Sequence, residues 1–260
     1  MSKLPLRQPS VTALSRGLSI LRCFDRPRAE LTVSQIARRT GLSQPTAWRL
    51  CQTLVEDGFL VRTAQASLRV GAPALTLGFA AIQGLGFPEI ALPYLRRIAE
   101  QTRATTTLSL RQGSEMVSIE RCDGDVIAPN EPIGWRAPLF VLSSGLAVLA
   151  RMSEPERRDA LQVWTRAHPD THARERIKEA STQLATAGYV RLEGMLQGEF
   201  AAVAVPLVQP AAIPAYWAIS CGGVRAMWDA DRFAAAGAAL AAIVPLLEPA
   251  LAALPPSAAG

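Results

Sequence analysis

The sequence predicts an α+β protein in which a group of short N-terminal helices precedes a largely antiparallel sheet. Apolar residues recur at helical spacing near the N-terminus, strand-like segments follow one another further along the chain, and helical segments are grouped between and after those strands. Apolar residues make up 49% of the 260-residue chain and charged residues 19%, so a globular protein is expected and wholesale disorder is not.

The first predicted helix follows a polar segment, residues 1–9, which we expect to form a loose arm. The sequence DRPRAE interrupts the helical pattern and marks a loop. Five apolar residues at helical spacing define the helix between them: Val11, Leu14, Leu18, Leu21 and Phe24.

Two further helices are predicted from the signals at their ends. Thr32 and Gln35 form a capping-box pattern that opens a short second helix, and Gly41 ends it because glycine adopts the left-handed conformation at low steric cost. Ser43 is a suitable N-cap for a third helix. Pro45 then lies in the first turn, where its missing N–H has no intrahelical partner to lose.

The second and third helices have the spacing of a helix-turn-helix. Two helices that cross steeply over a tight turn need a small residue at their contact, a glycine in the turn and apolar residues on the inner face of the second helix. A small hairpin follows, formed by FLVR and SLRVG around TAQA. The residues that meet the packing requirement are Ala37, Gly41, Ala47 and Leu50, with Ile36, Leu42 and Leu54 around them.

When the apolar side of the third helix faces inward, its other side becomes a candidate base-reading face. Arg49 could bind guanine with two hydrogen bonds, and Gln44 or Gln52 could bind adenine in the same way. Trp48 is expected against the sugar-phosphate wall or a thymine methyl, and Thr46 against a phosphate. The DNA-contacting set is Gln44, Pro45, Thr46, Trp48, Arg49 and Gln52, with Arg38, Arg39, Arg62 and Arg69 on phosphates.

Basic residues are concentrated at the N-terminal end of the chain. Residues 1–72 contain 11 Lys or Arg and 4 Asp or Glu, a net charge of +7, whereas the rest contains 16 and 18, a net charge of −2. This local excess predicts an anionic partner such as nucleic acid. Two alternatives stay open: a solvated basic face without a partner, and a winged helix that contacts protein.

Helical and alternating patterns predict the remaining elements. An apolar helix begins at Pro73, and the helix ALPYLRRIAEQT leads into the strands TTTLSLRQ and EMVSIERC. After an irregular stretch come helices at about 141–151, 154–166 and 172–187. The strands GYVRL, FAAVAVPLV and YWAISC follow, and then a long alanine-rich helix that WDADR caps.

Cysteine usage and apolar run length indicate the environment of the protein. Four cysteines lie far apart without a C-x-x-C pair, so they resemble neither a zinc cage nor a disulfide framework, and a reducing cytoplasm is expected. The N-terminus lacks the apolar core of a signal peptide. The longest apolar run, Ala234 to Leu247, is shorter than the roughly 20 residues of a membrane span and is broken by Pro245, so we expect no membrane segment.

An enzyme needs a catalytic set, and the candidates are thin. LSSGL is not a nucleophile elbow, and neither Ser143 nor Cys221 has a histidine nearby in sequence. His168 and His172 flank Asp170 in HPDTH, where surface residues are a commoner explanation than metal ligands. The DGD stretch favours a turn over an acid–base pair. We therefore expect no catalysis, no cofactor and no metal.

Several segments resemble the IclR family of bacterial transcriptional regulators, over residues 10–254. They are ALSRGLSILRCF, SQIARRTGLSQPTAWRLCQTLVEDGFLVR, RVGAPALTLG, IGWRAPL, ATAGYV, AVAVPL and AISCGG. The resemblance implies a winged helix-turn-helix over 10–72, a linker helix over 73–86, a GAF-like effector-binding domain over 87–254 and a tail over 255–260. It also implies dimers or tetramers on palindromic operators. The wing tip departs from the family, because Gln65, Ala66, Ser67 and Leu68 replace a glycine followed by a basic or aromatic residue.

The resemblance further implies an effector cup at the loop after R-A-P-L, the start of the next helix and the ends of the last three strands. Backbone N–H groups at Ser143 and Ser144 would suit a carboxylate. The matched strand positions are mostly apolar, whereas members that bind small keto-acids have acidic, thiol and hydroxyl side chains there. The implied lining is Val126, Pro129, Leu142, Ser143, Ser144, Leu192, Ala202, Ile219 and Cys221.

The expected effector is therefore a small, partly apolar acid, such as an aromatic acid with one carboxylate. The alternative is that these side chains form the core of a domain whose pocket is small or lost. The expected function is a cytoplasmic, ligand-responsive regulator of a catabolic or metabolic operon, a repressor or an activator. Its rivals are a winged-helix ligand-binding or interaction module that does not bind DNA and, less favoured, an enzyme of the C-terminal domain.

Overall fold

The computed structural model describes residues 11–24, 29–125, 132–169, 172–195, 198–209 and 215–255. The chain forms two compact units, residues 1–83 and 84–260. The helices are α1 Thr12–Leu21, α2 Val33–Thr40, α3 Gln44–Glu56, α4 Ala72–Leu85, α5 Phe87–Thr102, α6 Ser143–Arg151, α7 Glu154–Ala167, α8 Ala173–Ala187 and α9 Ala230–Ala252. The strands are β1 Leu60–Arg62, β2 Leu68–Val70, β3 Thr105–Gln112, β4 Glu115–Cys122, β5 Arg136–Pro138, β6 Val190–Met195, β7 Phe200–Gln209 and β8 Ala215–Val224.

Both predicted ends of α2 are confirmed in the first unit. The Gln35 backbone N–H donates to Thr32 Oγ1 at 3.3 Å, and the Thr32 N–H donates to Gln35 Oε1 at 2.8 Å. Gly41 ends the helix with a φ of +69°. Ser43 is the N-cap residue of α3, but its hydroxyl bonds to Thr46 Oγ1 at 2.8 Å and not to a backbone N–H.

A small apolar core holds the three N-terminal helices to the hairpin of β1 and β2. Leu31 extends the hairpin by pairing with Leu68, and their backbones exchange hydrogen bonds at 3.0 and 2.8 Å. Because the core is small, each member matters for the placement of α3. The buried members are Ile20, Cys23, Leu31, Ile36, Cys51, Leu60 and Leu68.

A six-stranded antiparallel sheet in the order β5-β4-β3-β8-β7-β6 forms the centre of the second unit. The predicted α+β class with an antiparallel sheet is confirmed. Strand β5 was missed, because three residues inside an irregular stretch are too few to show a period.

Helices cover both faces of this sheet. Helices α5 and α9 pack on one face, and α6 and α8 pack on the other. Side chains alternate between the faces, so Val203 and Trp217 point towards α5 and α9, whereas Ala204 and Ala218 point towards α6 and α8. The odd or even position of a strand residue therefore decides which helical layer it meets.

Helix α9 is the long C-terminal helix that the sequence predicts, and it continues through Pro245 and Pro249. An interior proline removes a backbone hydrogen bond and costs about 3 kcal/mol. The side chains of Ile243, Leu247 and Leu251 are at most 1% exposed and hold the helix to the sheet. The helix is long and apolar enough to cross a membrane by length and composition, but its buried face identifies it as a core helix of this unit.

Candidate functional site: recognition helix and effector cavity

Helix α3 presents Gln44, Trp48 and Gln52 along one side, one turn apart. Gln44 and Trp48 are exposed and Gln52 is half-buried. The opposite side is fixed in the core through Ala47 and Cys51, which are 0% and 2% exposed. Trp48 remains 53% exposed although its side chain is large and apolar. The helix is thus held by its inner face and leaves an aromatic side chain available for contact.

Polar contacts engage part of the predicted DNA-contacting set. Gln44 Nε2 donates to Ser34 Oγ at 3.1 Å. Arg62 Nη2 donates to Gln52 Oε1. A hydrogen bond thus links Arg62, which was predicted to contact a phosphate, to Gln52, which was predicted to contact a base. Pro45 and Arg49 are exposed beside these residues.

The remaining arginines of the set differ in their surroundings. Arg39 Nη1 donates to the Cys23 carbonyl at 2.7 Å and so ties α2 to the end of α1. Arg38 and Arg69 are exposed on the first unit. Arg39 therefore has a structural role that the sequence pattern did not reveal, whereas Arg38 and Arg69 have the exposure that a phosphate contact needs.

The wing tip adopts a glycine-like conformation without a glycine. Ala66 has a φ of +58°, a left-handed conformation that costs a non-glycine residue about 1–2 kcal/mol. The turn is closed by the Thr63 N–H, which donates to the Ser67 carbonyl at 2.9 Å. Ser67 Oγ also donates to Glu30 Oε2 at 2.7 Å, which anchors the wing.

A cavity of about 40 Å³ lies in the second unit, where residues of β3, β4, β7 and β8 meet the start of α6. Its lining combines many hydroxyl groups with a few aromatic and thioether side chains. The hydroxyls belong to Thr105, Thr107, Ser109, Ser118, Ser143, Ser144 and Ser220, and the apolar walls include Met116, Trp135, Leu142, Met195, Phe200 and Ala202.

Four residues of the predicted effector cup line this cavity: Leu142, Ser143, Ser144 and Ala202. Leu192 lines a separate groove along β6 and α8 instead. Val126 and Pro129 lie outside the described residues.

The assignment of Ile219 and Cys221 to the cup was wrong. Both are 0% exposed in the core beneath α5 and α9, on the other face of the sheet. Their neighbours on β8, Ser220 and Gly222, line the cavity. Since side chains alternate along a strand, an offset of one residue in the match moves the assigned side chain to the other face of the sheet. The cavity is therefore richer in hydroxyl groups than the matched positions implied.

A register shift brings a cation to the cavity. Ser118 and Arg121 both line it, three positions apart, because the pairing of β3 with β4 shifts between Leu108 and Ser109. Strict alternation from Ser118 would have put Glu120 there. Arg121 Nε donates to Asp123 Oδ1 at 2.6 Å, so its charge is partly compensated.

Two features of the cavity favour an anionic, hydrogen-bonding ligand. Helix α6 begins there without a side-chain cap, with Ser143 and Ser144 in its first turn only 2% and 4% exposed. Its first backbone N–H groups and the positive end of its dipole suit a carboxylate. Ser118 Oγ is buried without a hydrogen-bond partner, which costs about 1–3 kcal/mol unless a ligand atom supplies one.

The two histidines are separate in the structure. The His168 ring stacks on Trp164 with 3.8 Å between centroids, and His172 Nδ1 lies 3.9 Å from Glu175 Oε2. Asp170 lies outside the described residues. Across the part of the chain that the structure describes, no group of three or more His, Cys, Asp or Glu side chains could hold a metal ion.

Comparisons with known proteins agree with this architecture. A family model described as the IclR helix-turn-helix domain matches residues 13–64, and one described as the bacterial transcriptional regulator IclR C-terminal domain matches residues 79–244. The HTH-type transcriptional regulator TsaQ1/TsaQ2 of Comamonas testosteroni is 30% identical over 76% of this chain and 73% of its own length.

Solved structures show the same fold. An IclR family transcriptional regulator from Brucella abortus has a TM-score of 0.85 and 29% identity, over 96% of each chain. An IclR homologue from Microbacterium hydrocarbonoxydans, solved with 4-hydroxybenzoate, has a TM-score of 0.71 and 23% identity, over 92% of this chain and 99% of its own. The two domain matches together span most of the chain, and the protein therefore belongs to the IclR family: it is a DNA-binding transcriptional regulator and not an enzyme.

Proposed function

We propose that this regulator is a cytoplasmic homo-oligomer that controls a catabolic or metabolic operon and responds to a small, partly apolar organic acid. The lining of the cavity is the observation that supports this class of ligand. It combines the uncapped start of α6 and a set of hydroxyl groups with aromatic and thioether side chains. Membership of the family supports the DNA-binding part of the proposal.

The chemistry of the cavity favours an aromatic acid with a second polar group. A carboxylate would accept hydrogen bonds from the first turn of α6. A ring would contact Trp135, Phe200 and Met116, and a hydroxyl would satisfy Ser118. The cavity of about 40 Å³ is smaller than the roughly 150 Å³ of an engineered cavity that holds benzene, so these side chains would have to move apart to admit a ring. The likeness to the regulator solved with 4-hydroxybenzoate concerns the fold alone, so the lining residues and not that likeness support this ligand class.

Exposed apolar side chains support association of two copies through the first unit. Val11 and Leu14 on α1 are 69% and 63% exposed. Helix α4 has no buried residue, and its Leu75 and Phe79 are 77% and 64% exposed. A second copy would cover such surfaces, and a two-fold dimer reads a palindromic operator through two copies of α3.

A ligand screen tests the effector class. We expect benzoate and 4-hydroxybenzoate to raise the melting temperature more than pyruvate does, and a ligand at about 100 times its Kd adds about 2.7 kcal/mol to stability. Ala202→Asp should abolish the ligand-induced rise in melting temperature, because the new carboxylate in the cavity repels the carboxylate of the ligand. Operator binding should survive in this variant. A larger shift with pyruvate, or an unchanged response in the variant, would contradict the proposal.

Operator binding tests the recognition face. We expect Arg49→Ala to lower affinity by about 1–3 kcal/mol and to relax the preference for guanine at one position. Arg22→Ala, which removes another exposed arginine of the first unit, is the control and should keep the base preference. An equal loss of affinity for all DNA sequences would indicate that Arg49 contacts a phosphate. An unchanged affinity would show that Arg49 does not contact the operator.

A further inference from the structure

We infer that Arg62, on the wing strand β1, sets the base preference of Gln52, so that Gln52 reads guanine and not adenine. The inference rests on the proposed DNA contact of α3. Arg62 here is a positioning residue, because it acts on the operator through the Gln52 amide.

The hydrogen bond between these side chains fixes which end of the Gln52 amide faces the wing. Arg62 Nη2 is the donor, and a guanidinium has no acceptor, so its partner must be the amide oxygen Oε1. Burial and the Cys23 thiol raise the pKa of the Cys51 thiol to about 11, and the Arg62 charge opposes that rise, so the guanidinium lies beside α3. Because the Cys51 thiol is neutral at pH 7, it is the hydrogen bond to Gln52 that holds the guanidinium there.

This placement leaves only donors for the DNA. Adenine presents the N6 amino group and the N7 acceptor, so a bidentate contact needs both the oxygen and the NH₂ of a glutamine. In Gln52 the oxygen is held by a cation, whose charge also disfavours a second donor at that oxygen. The Gln52 NH₂ is then left as the donor for a base, and guanine offers two adjacent acceptors, O6 and N7.

Gln44, two turns earlier on the same side of α3, lacks this constraint. Its side chain bonds to the hydroxyl of Ser34, which can donate or accept, so no charge holds its amide in one orientation. Gln44 keeps the capacity to bind adenine with two hydrogen bonds. Two glutamines of one helix are thus expected to read different bases because only one of them contacts the wing.

Selection of operators from random duplexes by the full-length protein tests the inference. Gln52→Ala locates the base pair that Gln52 reads, and the wild-type protein should select guanine there. Arg62→Met frees the amide oxygen and should lower the guanine-to-adenine ratio at that pair by about tenfold, the effect of one good bidentate contact. Arg62→Lys keeps a donor to the oxygen and should retain the preference for guanine.

Arg69→Met, on the neighbouring wing strand, is the matched control because Arg69 is also exposed. It should weaken binding at all sequences alike and leave the base ratio unchanged. Wild-type selection of adenine at the Gln52 pair, or an unchanged ratio in Arg62→Met, would overturn the inference while DNA binding stands. A folded wild-type protein that selects no sequence would instead contradict the proposed recognition face.

Discussion

Trp48 and Trp217 have opposite environments in the two units. Trp48 is 53% exposed on the outer side of α3, whereas Trp217 is 1% exposed in the sheet core. The Trp217 ring meets Phe87 edge to face with centroids 5.1 Å apart. In the first unit the candidate functional side chains project away from a small apolar core. In the second unit the candidate functional side chains line a cavity that lies next to a large apolar core.

This difference predicts how function and stability are coupled. Outward side chains of α3 can change without disturbing the packing that holds the helix, because Ala47 and Cys51 do the packing. The cavity side chains lie on strands whose other residues form the core, so most changes there should affect both ligand binding and folding. Ser118 is the exception, because its buried hydroxyl has no hydrogen-bond partner to lose.

Replacement of each tryptophan by alanine should give the largest contrast. Trp217→Ala should lower the free energy of unfolding by about 3–5 kcal/mol, since a fully buried aromatic ring leaves a cavity. Trp48→Ala should change stability by about 0.5 kcal/mol or less and weaken operator binding. Denaturant unfolding and operator titration measure the two effects. Equal losses of stability would show that Trp48 packs in the core.

Ser118→Ala should separate ligand binding from stability inside the cavity. We expect effector affinity to fall by about 0.5–1.5 kcal/mol, whereas the free protein should be no less stable because an unsatisfied hydroxyl is removed. Calorimetric titration and thermal melting provide the readouts. Ser181→Ala is the control, because that hydroxyl already bonds to the Ile177 carbonyl at 2.8 Å. A stability loss without an affinity loss would make Ser118 structural.

The two capping boxes should respond differently to acid. That of α2 uses the uncharged Gln35, whereas that of α7 joins Ser153 to Glu156, which also accepts from Tyr216 Oη at 2.6 Å. Burial acts to raise the pKa of Glu156, but the hydrogen bonds from Tyr216 and Ser153 lower it overall from 4.5.

A lowered folded-state pKa stabilises the protein above the unfolded value, and this contribution is lost as the pH falls from about 4.5 through the lower folded pKa. Glu156→Gln should therefore flatten the acid dependence of stability by roughly 1 kcal/mol or less, as chemical unfolding across pH 3–6 would show. The substitution Gln35→Ala should shift stability equally at all pH values. If the free energy of unfolding of Glu156→Gln fell with acid as steeply as that of the wild type, Glu156 would not be the source of the acid dependence.

The smallest effect is expected at the wing tip. Ala66→Gly should stabilise the protein by about 0.5 kcal/mol, because relief of the left-handed strain exceeds the entropy cost of glycine. Ala64→Gly, in the same turn but without a positive φ, should destabilise it by a similar amount. Thermal melting distinguishes the two. Destabilisation by both changes would show that Ala66 stores no strain.

Prediction succeeded where local rules operate and failed where long-range pairing decides. The ends of α2 follow from Thr32, Gln35 and Gly41, since capping and left-handed turns depend on neighbours within four residues. The cavity depends on which residues of β8 face α6. The residue-by-residue match to the family placed Ile219 in the cup, whereas Ser220, one position further along the strand, lines the cavity.

The sequence by itself determined the α+β class, the helix-turn-helix and the outward side of α3, because period, capping and charge are local properties. Only the tertiary structure decided that a register shift brings Arg121 to the cavity and that the wing places Arg62 on Gln52. Both depend on segments that meet in space: β3 with β4, and β1 with α3. No short-range pattern records which residues such segments bring together.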